Sequence, residues 1–267
     1  MIRFFADKSA IYDEKITLSA QDAAHIRSLR LRPDEFFVVC DGEETDYICK
    51  LSDSEEILLK TKERCAIAKI IETRPSAGEP TVKCTVFIAY AKGDRLDYAV
   101  QKSVELGAYE INIFPSQRCI STPGDKGEKK ISRLQKIALE TAKQCGRGVI
   151  PNVSSSESFK MSIELATSSD VSILPYESED KLSLKQALNK GFENVYAYEN
   201  DAEVAIGASS ISISIMTGPE GGFTSQEIEH AKSKGMSIVT LGPRILRCET
   251  APIAALSAIM YHTGNLG

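Results

Sequence analysis

Two stretches near the C-terminus concentrate residues able to do chemistry. In IMTGPEGGFTSQEI, residues 215–228, an apolar strand-like run that includes Met216 and Thr217 ends in a turn of Gly218, Pro219, Glu220, Gly221 and Gly222. A helix follows. Thr224 and Glu227 stand at the spacing of a capping box, with Phe223 and Ile228 placed for the accompanying hydrophobic staple. The glycines let backbone approach a ligand closely or take positive φ. Pro219 removes an amide donor and Glu220 adds negative charge, so the turn is a poor cradle for a polyanion. The segment carries neither G-x-x-x-x-G-K-[ST] nor G-x-G-x-x-G, so neither a nucleotide P-loop nor a dinucleotide fingerprint is supported. Taken alone, it is also explained by a tight structural turn.

The second stretch is IVTLGPRILRCETAPIAALSAIM, residues 238–260. Again a strand runs into a Gly-Pro turn (Leu241, Gly242, Pro243), and Thr250 and Pro252 mark the start of a helix. Two such turns side by side would sit at the carboxyl edge of a sheet, where open α/β folds bind ligands. Ile245 and Leu246, flanked by Arg244 and Arg247, suit a loop that buries a flat ring and keeps charge outside. Ile253, Leu256 and Met260 form an apolar stripe on the last helix, read either as intradomain core or as part of a subunit contact.

The elements that position these turns fall into two textures. Residues 1–72 read as short strands (KITLS, FFVVCDG, DYICKLS, ILLKTK, CAIAKII) with one helical piece, AQDAAHIRSLRLR, which suggests a small β-barrel. Residues 73–80 read as a linker with two prolines and a glycine. From residue 81 to 267, apolar runs (TVKCTVFIAYA, EINIFPS, DVSILPY, ISISIMTG, MSIVTLG) alternate with helical patterns (RLDYAVQKSVELG, KKISRLQKIALETAKQCG, SLKQALNKG), the signature of an α/β domain with a largely parallel sheet. SSSES, residues 154–158, reads as a solvated loop.

Composition narrows the classes. At 42% hydrophobic and 26% charged, the chain is neither disordered nor fibrous. No apolar run is long enough to span a bilayer and Asp7 interrupts any signal-like start, so a cytoplasmic protein is expected. Seven cysteines without a C-x-x-C pair and three scattered histidines suggest neither disulfides nor a metal. The net charge is −5, yet residues 73–160 carry 14 basic against 9 acidic side chains. That positive middle is either a face for phosphates or ordinary solvated lysine-rich helix.

With these residues in view, GPEGGF followed by LGPRILRCETAPIAAL resembles the paired signature of the ribosomal RNA small-subunit methyltransferase E family, one of the SPOUT methyltransferases. KGDRLDYAVQKSVELG, SQRC, AKQCGRGVIP and HIRSLRLRPDE extend the resemblance over nearly the whole chain; Cys248 departs from it, standing where family members often have threonine. The resemblance implies a PUA-like β-barrel followed by an α/β domain knotted as a deep trefoil. It further implies a homodimer that uses S-adenosylmethionine to methylate N3 of a uridine in 16S rRNA or the small subunit.

Carried over by motif, the cofactor pocket comprises Leu174 and Pro175, Met216, Thr217, Gly218, Pro219, Glu220 and Gly221, and Leu241, Gly242, Pro243, Arg244, Ile245 and Leu246. Methylating N3 requires loss of an imide proton, which a positioned arginine and a carboxylate assist; Arg247 and Glu249 are the candidates. Arg30, Arg95, Arg118 and Arg147 are candidate RNA contacts. A SPOUT enzyme acting on a ribose 2′-hydroxyl or a tRNA base, and a non-catalytic RNA-binding protein, are the alternatives.

Overall fold

In a computed structural model, the described residues are 1–32, 34–51, 65–120, 127–201 and 211–267, the backbone alone being described over 196–201. The strand expected at ILLKTK, 57–62, lies outside them. The chain divides into two compact units, Met1–Glu79 with Glu140–Ile150, and Pro80–Leu139 with Pro151–Gly267.

The first unit is a curled half-barrel sheet. Its strands are β1 (Arg3–Phe5), β2 (Ile11–Tyr12), β3 (Lys15–Leu18), β4 (Phe37–Cys40), β5 (Thr45–Leu51) and β6 (Ala66–Pro75). They lie in the order β1-β4-β5-β6-β3-β2, antiparallel except for β1 beside β4. Alternation in β3 buries Ile16 and Leu18 and leaves Lys15 and Thr17 partly exposed, as a one-sided sheet demands. Phe4 and Phe37 meet edge to face at 5.7 Å in the same core. Helix α1 (Ala20–Ser28) starts where Ser19 accepts the Asp22 amide at 3.1 Å, and Ala23 and Ile26 face the sheet core. β6 runs on to Pro75, so the stretch read as linker begins as strand.

The second unit is a six-stranded, all-parallel sheet: β7 (Lys83–Ala89), β8 (Glu110–Phe114), β9 (Asn152–Ser155), β10 (Val171–Pro175), β11 (Ser212–Thr217) and β12 (Ser237–Val239), in the order β12-β10-β11-β7-β8-β9. Its helices are α2 (Arg95–Glu105), α3 (Gly127–Cys145, ending in the first unit), α4 (Phe159–Ala166), α5 (Leu184–Asp201), α6 (Ser225–Ser233) and α7 (Thr250–His262). β7 and β11 lie centrally and are almost wholly buried, so that even Ser214 and Thr217 of β11 are enclosed. The chain builds outward from β7 through β8 to β9, then returns to place β10, β11 and β12 on the other side. The reversal between β7 and β11 is a topological switch point, and the carboxyl ends of the strands there form a crevice. Among the described residues, no helix is long and apolar enough to cross a membrane, and no group of three or more His, Cys, Asp or Glu is placed to hold a metal.

Candidate active site

A cavity of about 840 Å³ opens where β10, β11 and β12 end. Its walls are the end of β10 with the segment after it (Pro175 to Asp180), the glycine turn after β11 (Gly218 to Phe223) and the loop between β12 and α7 (Thr240 to Glu249), with Arg95 from α2. The glycine turn is closed by the Gly222 amide donating to the Pro219 carbonyl at 2.9 Å. It is held from below by α6: Thr224 and Glu227 form the capping box, and Phe223 and Ile228 are buried in one core cluster, as the staple requires. At Gly221 only a hydrogen fits, because a Cβ would lie 2.9 Å from Arg118 Cβ and 3.2 Å from its carbonyl oxygen.

One guanidinium ties two of the cavity's carboxylates together. Arg95 Nη1 donates to Glu220 Oε1 at 2.9 Å, and Arg95 Nε lies 4.0 Å from Glu249 Oε2; the Lys92 amide also donates to Glu220 Oε1, at 2.9 Å. Burial, the largest single influence, pushes the Glu220 carboxyl up, but the Lys92 and Glu220 amides and Arg95 together hold it below its ordinary value. Glu249 follows the same pattern: burial raises it, and its own amide, the Cys248 thiol, Arg95 and Arg247 outweigh that. Cys248 donates to Glu249 Oε2 at 3.2 Å, and burial, with the two carboxylates beside it, pushes the thiol up to about 12. At neutral pH this cluster therefore holds two carboxylates, a neutral thiol and a bridging arginine. Glu220 Oε2 is buried with no hydrogen-bond partner among the described residues, an acceptor left for something else to satisfy.

The expected site residues divide. Pro175, Gly218 to Gly221, Leu241 to Leu246, Arg247 and Glu249 all line the cavity. Leu174, Met216 and Thr217 are instead sealed in the core behind it; the Thr217 hydroxyl donates to the Phe87 carbonyl at 3.3 Å. At β11 the wall begins with the residue after the strand, Gly218, and at β10 with the strand's last residue, Pro175. Tyr176, Glu177, Glu179, Asp180, Thr240 and Cys248 line the cavity without having been anticipated, although each adjoins a motif in sequence. Leu256 and Met260 are core, whereas Ile253, the third residue of the apolar stripe of α7, stays partly exposed.

Of the four arginines expected on RNA, Arg95 belongs to the cavity rim, and Arg118 donates to the Gly221 carbonyl at 3.0 Å from an exposed position. Arg30, also exposed, follows the Leu29 cap of α1 with a left-handed φ of 53°. Arg147 does not fit the expectation: it is 3% exposed and its guanidinium reaches Glu79 Oε2 at 2.5 Å. Glu79 also accepts the Gly148 and Val149 amides, so this pair pins the 147–149 loop within the first unit. Basic composition alone could not reveal a partner 68 residues away. Because Glu79 would keep its two amide donors, Arg147→Ala should lower stability by about 2 kcal/mol, read by chemical denaturation. Unchanged stability with lost RNA affinity would return Arg147 to the RNA surface.

A parallel α/β unit with a ligand cavity at its switch point, preceded by a small curled β unit, defines the class: residues 78–260 match the RNA methyltransferase domain family, and residues 18–63 match the RNA methyltransferase PUA domain family. The chain is 30% identical to the ribosomal RNA small subunit methyltransferase E of Bacillus subtilis, over 92% of this chain and 90% of that one. It is 28% identical to the Mesomycoplasma hyopneumoniae protein of the same name, over 96% and 98% of the two chains. A solved structure of the Neisseria gonorrhoeae methyltransferase E bound to S-adenosyl methionine superposes with a TM-score of 0.77, at 28% identity and 98% coverage of both chains. The chain belongs to the ribosomal RNA small subunit methyltransferase E family.

Proposed function

We propose that this protein transfers a methyl group from S-adenosylmethionine to N3 of a uridine in 16S rRNA, as free RNA or in the small subunit. The observation that carries this reading is the cavity: about 840 Å³, bounded by glycine-rich backbone and by Leu241, Ile245 and Leu246, with an unsatisfied carboxylate oxygen at its rim. Those features fit the cofactor. Backbone groups and apolar faces hold a flat adenine, Glu220 Oε2 accepts from a ligand N–H or O–H, and the Glu220 and Glu249 charges favour a cation.

When bound, S-adenosylmethionine supplies an electrophilic methyl on a positively charged sulfur. The chain's own task is to present uridine N3 as a nucleophile. Glu249 accepts the hydrogen bond from N3–H, and the proton leaves through it to solvent. Arg247, exposed on the same loop, offsets the negative charge that develops across the imide. With the cofactor held by the glycine turn and the Leu241–Leu246 loop, its methyl carbon would pass to N3 and its sulfur would keep the electrons of the broken carbon–sulfur bond. Arg95 keeps both carboxylates ionised and in place. Arg118 and Arg30, being exposed, are available to RNA phosphates. Nucleoside mass spectrometry tests the reading: N3-methyluridine should be present in small-subunit rRNA from cells with the protein and missing after deletion, and its persistence would overturn the assignment.

The same reading includes a homodimer and a C-terminal chain threaded as a trefoil knot. Tyr98 at 49%, Ile245 at 84% and Tyr261 at 74% are among the large apolar side chains of the second unit that stay exposed in the single chain. Burying them against a second copy removes that apolar area from water. Sedimentation at micromolar concentration should give twice the mass of the 29.2 kDa chain, and an active monomer would contradict the dimer. An experimental chain trace in which the segment after β12 does not pass through the preceding loop would overturn the knot.

A further inference from the structure

The Glu227 carboxylate does more than cap α6. It is 4% exposed, and its two oxygens serve different parts of the chain. Oε2 accepts from the amide and hydroxyl of Thr224, at 2.8 and 3.1 Å, which is the local cap. Oε1 accepts the Ser116 hydroxyl and the Gln117 amide, both at 2.9 Å, from the loop that follows β8. That loop is a tight turn, with the Cys119 amide donating to the Ser116 carbonyl at 3.1 Å. Its next residue is Arg118, whose guanidinium donates to the Gly221 carbonyl and whose Cβ fills the space that Gly221 leaves open.

One buried side chain thus joins the loop bearing an exposed arginine to the helix start that supports the glycine turn. A cap alone would not need the second oxygen, and a surface arginine alone would not need its backbone fixed by a buried acid. We infer that Glu227 is a positioning residue for substrate RNA: it fixes the Arg118 loop against the glycine turn, so that the arginine meets the RNA backbone in register with the loaded cavity. This rests on the proposed function for its RNA partner. Burial of the carboxylate and of Ser116, at 8% exposure, gives the tie the rigidity that such registration requires.

The test compares Glu227→Gln and Ser116→Ala, which disturb the tie, with Thr224→Ala, which removes only the local cap's hydroxyl. The tie predicts that Glu227→Gln and Ser116→Ala raise the Kd for small-subunit rRNA and its KM by about tenfold while changing S-adenosylmethionine affinity and kcat by less than about threefold. Thr224→Ala should lower Tm with rRNA affinity unchanged. Hydrogen exchange at the Gln117 amide should accelerate in Glu227→Gln with β11 amides unaffected. Unchanged RNA affinity in both tie variants, or unchanged exchange at Gln117, would overturn the inference. A wild type that binds no rRNA would defeat the proposed function and the RNA role of this tie together, whereas a binding wild type matched by its variants would defeat only the tie.

Discussion

Gly221→Val should weaken S-adenosylmethionine binding by up to about a hundredfold, from a micromolar-scale affinity of about 8 kcal/mol to one short by as much as about 2.7 kcal/mol. The reason is packing on the side of the turn away from the ligand. A Cβ at this position would stand 2.9 Å from Arg118 Cβ and 3.2 Å from the Arg118 carbonyl, and a branched side chain adds two further carbons there. Overpacking of this kind is relieved by backbone shifts, costing about 1–3 kcal/mol. The turn that must shift is the one lining the cavity. Calorimetry measures the effect directly. Gly221→Ala should show a smaller loss, since one added carbon demands a smaller shift of the Arg118 backbone than the three of valine. Equal binding by Gly221→Val and wild type would remove this turn from the cofactor site.

Arg247→Ala should reduce turnover by about 10²–10³ while leaving cofactor affinity within about threefold, because its charge is assigned to the uridine anion. Arg247 is exposed, lines the cavity, and lies near enough to Glu249 to help hold that carboxyl below its ordinary value. Removing it deletes a charge needed most as the imide proton departs, so the loss should fall on kcat rather than on cofactor binding. Arg247→Lys should recover part of the rate, since a point charge supplies some of the same stabilisation without the planar fork. Lost cofactor binding with an otherwise intact fold would reassign Arg247 to the cofactor.

What the sequence reveals of this molecule follows the range of its interactions. The two motif turns are legible because everything that makes them is local: glycines, a proline, and the capping box from Thr224 to Glu227. The buried strands β7, β8, β10 and β11 are legible because each is a short segment rich in Ile, Val or Phe set between turn residues and helical patterns. By contrast β1 has three residues and β9 is the polar NVSS at the sheet edge, too short or too polar for a periodic signal, so SSSES looked like loop although its first two serines complete β9. α4, eight residues long, was likewise overlooked. α5 runs to Asp201, past Gly191, where a glycine reads as a stop; there a Cβ would meet Val171 Cγ2 at 2.6 Å, so the glycine lets the helix lie close on β10. The links that organise the site span long separations: Arg95 to Glu220 across 125 residues and Ser116 to Glu227 across 111. Composition showed the arginines but not their partners, which is why Arg147 looked like an RNA contact and proves to be a buried clamp on Glu79.

The central claim is the atom that receives the methyl, and primer extension on small-subunit rRNA from matched wild-type and deletion strains tests it most directly. A methyl on N3 replaces the hydrogen that uridine donates in Watson–Crick pairing, so reverse transcriptase should stop or misincorporate at one uridine near the 3′ end of the 16S rRNA in the wild type. The deletion strain should read through, and the linkage at that uridine should stay alkali-labile in both. An alkali-resistant linkage with no strong stop would place the methyl on a ribose 2′-oxygen, and identical profiles from the two strains would mean that the protein binds RNA without modifying it; either result contradicts the account.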